Sequence, residues 1–166
     1  VKDPQELVLI RRGFLYSTFE RFRDACHSFS GMFAYDESHV TVTIDGRPEY
    51  VDGDFVSGNY FSVLGVGAIV GRTFQSHDDQ PGRQTVAVIS YRYWDQRFGR
   101  EPSAIGKTVY LADTPCIIIG VTPPGFFGRS VAGKSADIML PMFLQPRLGL
   151  KDHDAISIMA RLKPGV

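Results

Sequence analysis

Residues 85–125, TVAVISYRYWDQRFGREPSAIGKTVYLADTPCIIIGVTPPG, carry the clearest secondary-structure pattern in the sequence. The first part, Val86–Ile89, is a β-branched apolar run of the length typical of a buried strand. Ser90 can then cap a helix whose aromatic residues recur at three- and four-residue spacings before Gly99, a common helix terminator. We therefore predict a strand, a short amphipathic helix and a helix stop.

The second half of this stretch predicts a pair of strands. Apolar residues recur in 108–111 and 116–121, and Ala112-Asp113-Thr114 joins the two segments. Pro123-Pro124-Gly125 then breaks the chain direction. We identify no nucleophile, general base or set of metal ligands within residues 85–125, so the stretch predicts architecture rather than chemistry.

Ahead of this stretch, the sequence predicts a short strand over residues 7–11 followed by a helix. Ser17 and Glu20 have the spacing of a capping box, which places the helix start there and its end near Gly31. Apolar residues at intervals of three and four would form the buried face of this helix. They are Leu15, Phe19, Phe22, Cys26 and Phe29.

A change to a two-residue period at residue 40 predicts a β-hairpin. Apolar and polar residues alternate over 40–44, Asp45-Gly46 supplies a tight turn, and 50–56 returns as the partner strand. Asp52 and Asp54 share one face of the returning strand. We interpret them as a solvent-exposed face that protects a sheet edge from pairing.

The remaining segments complete an α+β pattern. Residues 57–65 predict a capped helix of about two turns closed by glycine, and the polar residues 75–84 predict a loop. A strand is expected over 138–143, with an interruption at Pro141, and a final strand over 155–162. Hairpins alternating with separated helices favour the α+β class.

Length and composition indicate an ordinary globular protein. The chain has 166 residues, of which 43% are hydrophobic and 22% charged. Its formal net charge is zero, and nucleic-acid binding proteins usually show a basic excess, so that class is disfavoured. We find no signal-peptide pattern and no apolar run of ~18 residues, and both ends give the impression of a segment cut from a longer protein.

The triplet Gly106-Lys107-Thr108 resembles the end of a phosphate-binding loop. That motif needs a second glycine five residues before Gly106 and must open a helix. Glu101 occupies the required position, its carboxylate would repel a phosphate, and a predicted strand follows. We therefore expect no direct nucleotide binding.

The sequence predicts neither a metal site nor a catalytic centre. The histidines are scattered and show no ligand spacing. His77-Asp78-Asp79 and Asp152-His153-Asp154 could hold a divalent ion, but we interpret them as solvated loop charges. No nucleophile elbow is present either, so we predict that the chain is not an enzyme and carries no cofactor.

Two cysteines leave the redox state open. Cys26 lies on the apolar face of the first predicted helix, and Cys116 begins a predicted buried strand. We favour two small buried hydrophobic side chains, with a disulfide between them as the alternative.

Two loops suit a binding role better than catalysis. The segment 123–129 carries Phe126, Phe127 and Arg129 between glycines and prolines, and such side chains are enriched where partners are anchored. The alternative is that both phenylalanines fold back over the core. The charged loop with Asp78 and Asp79 is the second candidate contact.

The order of these features resembles the extracytoplasmic core domain of MacB-like, FtsX-like ABC transporter permeases. The resemblance covers nearly the whole chain. It rests on residues 16–19 and 29–31, on VSGNYFSVLG at 56–65, GRTF at 71–74 and Asp78-Asp79, on VAVIS at 86–90, Trp94, RFG at 97–99 and IGKT at 105–108, and on IGVTPPGF at 119–126 and ARLKPGV at 160–166.

The resemblance implies a periplasmic domain of a bacterial inner-membrane protein. In such proteins, ATP hydrolysis moves membrane helices, and the domain passes that movement to an export path or to a partner outside. Expected partners are the transmembrane and ATPase parts of the transporter, with a periplasmic adaptor protein and a second permease subunit as further candidates. An extracytoplasmic sensor domain for a small ligand or a peptide is the alternative.

The resemblance also implies two lobes within a single domain fragment, 1–166. A porter-like α/β lobe would comprise residues of about 1–74 and 137–166. A β-rich insertion would comprise about 75–136, which includes the stretch 85–125. A second porter-like unit normally follows the closing sequence in this family.

Overall fold

A computed structural model describes residues 1–26, 28–128, 135–150 and 156–163. These residues form α-helices, β-strands and short 3₁₀ helices in one mixed sheet architecture. The helices are α1 (Tyr16–Ala25), α2 (Tyr60–Leu64) and α3 (Tyr91–Phe98). The strands are β1 (Leu7–Phe14), β2 (Phe29–Ile44), β3 (Arg47–Val56), β4 (Val70–Gly71), β5 (Val86–Ile89), β6 (Thr108–Leu111), β7 (Thr114–Val121), β8 (Ile138–Pro141) and β9 (Ile156–Leu162).

Six strands close into a ring. β2 pairs with β3, β3 with β8, β8 with β5, β5 with β7, and β7 with β6. β6 returns to β2, where Val42 lies opposite Leu111 and Thr43 opposite Tyr110. We call this arrangement the closed ring. Each of its strands finds hydrogen-bond partners on both sides, and alternate side chains meet in one buried cluster.

The first half of β2 belongs to a second region. Residues 29–35 pair antiparallel with β9, and β9 pairs antiparallel with β1. Helix α1 packs on one face of these strands through the fully buried Phe19, and α2 packs on the other through Tyr60 and Phe61. We call β1, β9 and the first half of β2 the sheet extension. In the described chain, β1 pairs with β9 alone, so it forms an open edge.

The pattern within residues 85–125 is confirmed. The Ser90 side chain accepts a hydrogen bond from the backbone N–H of Tyr93 and caps α3, which ends at Gly99 with a left-handed φ of 57°. The two later strands also form, but Thr114 already belongs to β7. The turn therefore contains only Ala112 and Asp113, with Ala112 at a positive φ of 49°.

The end predicted for the first helix was wrong. α1 stops at Ala25 instead of near Gly31, and Phe29 begins β2. Its start also lacks the predicted capping box, since Leu15 occupies the N-cap position without a side-chain cap. The aromatic spacing continues past Ala25, but pairing with β9 draws the chain at Phe29 into the sheet.

The predicted hairpin is confirmed, with longer strands than expected. The interpretation of Asp52 and Asp54 as a sheet edge was wrong, because β8 pairs with β3 from Gly53 onward. The Asp52 carboxylate contacts the His39 ring across the strands, with 2.7 Å between Oδ1 and Nδ1. Its backbone N–H also donates to the Asp137 carboxylate at 3.2 Å.

Other predicted elements form with shifted bounds. α2 has only five residues, although Gly65 closes it in the left-handed conformation as expected. The strand expected over 138–143 ends at Pro141 and continues as a 3₁₀ helix, Met142–Leu144. The α+β class is confirmed. None of the described helices is long and apolar enough to cross a membrane.

The strands of residues 75–136 share the closed ring with strands from outside that segment. β5 and β7 come from within it, whereas β8 follows it and β3 precedes it. The sheet is continuous across both expected boundaries. The division into a porter-like lobe and an insertion stays a prediction.

Candidate functional site

The aromatic loop after β7 presents one phenylalanine and buries the other. Phe126 is 8% exposed, and its ring lies 6.0 Å from that of Phe61 and 6.5 Å from that of Tyr60, measured between centroids. Phe127 is 42% exposed. The fold-back alternative therefore holds for Phe126 only. Arg129, the third candidate in this loop, lies outside the described residues.

Asp78 is buried, so its interpretation as a solvated loop charge was wrong. The Arg72 guanidinium donates two hydrogen bonds to it, Nη1 to Oδ2 at 2.6 Å and Nη2 to Oδ1 at 3.0 Å. The backbone N–H of Gln75 donates a third at 2.8 Å. Burial acts to raise the pKa of Asp78, but the bonds from Arg72 and Gln75 outweigh it and lower the pKa below its usual value.

Asp79 is partly buried and is also used within the domain. Its carboxylate accepts hydrogen bonds from the Tyr16 hydroxyl, from the Phe143 N–H at 3.0 Å and from the Gly58 N–H at 3.3 Å. Burial raises its pKa to about 6, and these three hydrogen bonds lower the pKa too little to cancel that effect. Asp79 thus connects α1, the segment before α2 and the 3₁₀ helix after β8.

The second polar connection is centred on Arg161 of β9, whose side chain is 12% exposed. Its Nε donates to the carbonyl oxygen of Val63 in α2 at 2.9 Å. Nη2 donates to the carbonyl of Lys2 at 2.6 Å, and Nη1 donates to the carbonyl of Asp3 at 3.1 Å. Nη1 also pairs with the Glu6 carboxylate at 3.2 Å. We call this set of contacts the Arg161 joint.

The Arg161 joint connects three parts of the chain that are far apart in sequence. The segment before β1, helix α2 and the last described strand all contribute partners. A guanidinium suits this position because its five N–H donors point in fixed directions and it stays charged. A displacement of residues 2–6 would therefore be transmitted directly to β9 and α2 through these hydrogen bonds.

The triplet at residues 106–108 has a structural role. The Lys107 ammonium pairs with the Asp45 carboxylate of the β2–β3 turn, with 2.8 Å between Nζ and Oδ2. Strand β6 follows Gly106, so a phosphate there would meet no helix N-terminus.

Potential ligands and thiols are dispersed. No group of three or more histidine, cysteine, aspartate or glutamate side chains converges within the described residues. Cys26 and Cys116 are free thiols, so the disulfide alternative is excluded in this structure. Burial raises the pKa of the Cys116 thiol to about 12, which keeps it in the unreactive protonated form.

Sequence reasoning missed the partners of these polar connections. Tyr16, Arg72 and Arg161 all lie in segments that carry the family resemblance, but no pattern in those segments indicated a functional role for them. Arg161 alternates with the apolar residues of its strand, as a solvent-facing residue would. That Arg161 lies on a strand covered by both α1 and α2 is evident only from the fold.

Comparison with known proteins gives one family. A model of the MacB-like periplasmic core domain matches residues 8–166. The macrolide export ATP-binding/permease protein MacB of Pasteurella multocida is 38% identical over 88 residues, which are 52% of this chain and 13% of that protein. MacB of Salmonella typhi is 30% identical over 118 residues, 70% of this chain and 18% of that protein. The chain spans less than a fifth of the length of these curated relatives.

Solved structures share the fold. The periplasmic region of MacB from Actinobacillus actinomycetemcomitans superposes with a TM-score of 0.73 at 17% identity, covering 95% of this chain and 68% of that chain. The extracellular domain of YknZ, an ABC-type transporter from Gram-positive bacteria, superposes with a TM-score of 0.70 at 18% identity, covering 92% of this chain and 74% of that chain. At these identities the likeness concerns the fold alone.

Proposed function

The chain belongs to the MacB-like periplasmic core domain family, and we propose that it transmits movement within an ABC transporter. In this proposal, ATP hydrolysis by another part of the transporter moves membrane helices. The domain passes that movement to an export path or to a partner outside the inner membrane. Its own role is mechanical and does not involve catalysis.

The Arg161 joint is the observation that carries the proposal. A movement that enters through residues 2–6 meets a side chain hydrogen-bonded to both the first segment and α2. Hydrogen bonds from a charged donor, each worth about 1.5–3 kcal/mol, resist being stretched or bent. The segment and the domain would therefore move together rather than slide past each other.

Phe127 is the residue we propose for contact with a partner. Phe127 follows the anchored Phe126 directly in the chain, so little further ordering of the backbone would be needed when its exposed ring meets a partner. A periplasmic adaptor protein or a second permease subunit would supply the opposing surface. Direct contact by Asp78 and Asp79, the other candidates, is less favoured because both carboxylates are engaged within the domain.

The proposal is tested by separating ATP hydrolysis from transport in the full-length transporter. Arg161→Met keeps the aliphatic bulk but removes the donors of the Arg161 joint. We expect ATP hydrolysis to continue while the amount of substrate exported per ATP falls. Glu6→Gln, which weakens one contact of the joint, should lower that ratio to a smaller extent.

Arg23→Met is the matched control. Arg23 pairs with Asp24, the next residue of α1, at 2.9 Å and with 40% of its side chain exposed. Losing this exposed contact should leave the ratio of export to ATP hydrolysis unchanged. An Arg161→Met transporter that is folded and exports as much per ATP as the unmodified protein would disprove the transmission role.

A further inference from the structure

An open groove of about 580 Å³ lies between the start of β5, the β6–β7 pair and the 3₁₀ helix Pro146–Leu148. Two arginines from separate segments line it, Arg83 before β5 and Arg147 in the 3₁₀ helix. This groove is distinct from the Arg161 joint and from the loop with Phe127.

The arginines of the groove have charge to offer a ligand. Both are exposed, and none of the ion pairs in the described ranges includes Arg83 or Arg147. The Arg147 guanidinium carbon lies 5.4 Å from the centroid of the Phe143 ring, so stacking orders the side chain and leaves its N–H edge available. Asp113 is the acidic side chain in the lining, which leaves an excess of positive charge.

The floor of the groove is amphipathic. Tyr110 projects from β6 with 46% of its surface exposed, and Ile117 of β7 is half-buried beside it in the lining. Thr85 and Thr108 add hydroxyl groups that can donate or accept hydrogen bonds. An occupant would therefore find apolar contact on the floor and positive charge from the arginines.

We propose that this groove binds an acidic peptide segment of a partner protein. Its carboxylates would accept hydrogen bonds from Arg83 and Arg147, and an apolar side chain between them would lie against Tyr110. Pockets for small ligands bury about 70–90% of the ligand surface, which an open groove does not achieve. A peptide can instead cross the groove and reach arginines on two segments.

The test measures fluorescence polarisation of a labelled peptide with the full-length protein. The probe is a peptide of about ten residues in which glutamates flank valine and leucine, a composition chosen to match paired arginines and an apolar floor. We expect saturable binding that weakens as salt is added, since exposed charges are screened. The same peptide with glutamine in place of glutamate should bind about tenfold more weakly or worse.

Variants assign the binding to the groove. The double variant Arg83→Gln with Arg147→Gln should bind the acidic peptide about tenfold more weakly or worse, because two charged donors are lost. Arg47→Gln, at an exposed arginine of the β2–β3 hairpin, should change the affinity by less than about twofold. Circular dichroism checks that each variant is folded.

Three results would overturn the proposal. They are the absence of saturable binding, equal affinity of the double variant and the unmodified protein, and displacement of the peptide by free citrate at matching carboxylate concentration. The last result would assign the groove to small anions. ATP hydrolysis and export do not enter this test, so its outcome is separate from that of the transmission role.

Discussion

The closed ring and the sheet extension are stabilised in different ways, although β2 runs through both. In the ring, strands pair on both sides, and the interior is apolar: Phe55, Ile118 and Leu140 are each 0% exposed. The extension ends in the open edge of β1, where Leu9 is 49% exposed and Ile10 is 37% exposed. Its centre between α1 and α2 is also apolar, but polar side chains connect its margins to neighbouring elements.

This difference concerns where the domain can change shape. Close-packed apolar interiors resist gradual deformation. A polar connection depends on direction and charge, so a small displacement or a proton can weaken it. The Arg161 joint lies where β9 of the extension meets α2 and the segment before β1, and Asp79 connects α1, which packs on the extension, to other elements. We therefore expect the ring to move as a rigid body and the extension to respond first.

The largest expected effect comes from removing bulk inside the ring. Phe55→Ala should lower the free energy of unfolding by about 3–5 kcal/mol, because it deletes a fully buried ring and leaves a cavity. Phe22→Ala is the matched change beside the extension, where the side chain is 40% exposed and makes an edge contact with Phe14 at 5.7 Å. It should cost about 1 kcal/mol or less.

Urea denaturation of the two variants measures this difference directly, with equal m-values as the sign that both unfold in the same way. Similar losses at Phe55 and Phe22 would contradict the contrast between the packed interior of the ring and the exposed margin of the extension.

The second effect is a pH dependence carried by Asp79. Its pKa is about 6 in the folded protein and 3.8 as the reference for the unfolded chain, so the folded state binds more protons between these values. The free energy of unfolding should therefore fall as pH rises through this window, by up to about 3 kcal/mol from this group. The loss should be complete slightly above pH 6.

Asp79→Asn separates this group from others that titrate nearby. The variant carries no charge at position 79, so its stability should vary less between pH 4 and 6 than that of the unmodified protein. The slopes of stability against pH are compared rather than the absolute stabilities. The reason is that the amide introduced at position 79 places a donor next to groups that themselves donate to Asp79 in the unmodified protein. Asp113→Asn, at an exposed turn, serves as control. Parallel pH profiles for all three proteins would rule Asp79 out.

Local patterns in the sequence predicted much of the ring. The strand Val86–Ile89, the Ser90 cap and the Gly99 stop depend on residues within a few positions of one another, and all three form. The turn at Asp45-Gly46 is equally local. The closure between β6 and β2 was not predicted, because no local pattern records which distant strands meet.

The extension was harder to predict because its partners are distant in sequence. The first helix was predicted to be too long, since only the pairing with β9, more than a hundred residues later, turns Phe29 into a strand residue.

The burial of Asp78 and Asp79 was also missed. Both are polar in sequence, yet Arg72, Tyr16 and Phe143 bind their carboxylates within the domain. Similarly, the sequence identified the aromatic loop but not which phenylalanine faces outward.

The smallest expected effect concerns a polar contact of the ring. It tests whether such a contact contributes to stability as the polar contacts of the extension do. Glu49 of β3 and Arg97 of α3 form an ion pair with 2.7 Å between Oε1 and Nε, and their side chains are 28% and 30% exposed. A double-mutant cycle with Glu49→Gln and Arg97→Gln isolates their interaction, since the other contacts of each side chain cancel. We expect a coupling energy of about 0.2–1 kcal/mol that declines in high salt.

The same cycle at Arg161 and Glu6 gives the comparison its sharpest form. The two glutamates are about equally exposed, but Arg161 is more buried than Arg97, at 12% against 30%, and it is held by three backbone carbonyls. Salt should therefore weaken its coupling less than that of Glu49 and Arg97. If both couplings fall alike in salt, the Arg161 joint is an ordinary surface contact, and the extension has no special polar connection through which to move the ring.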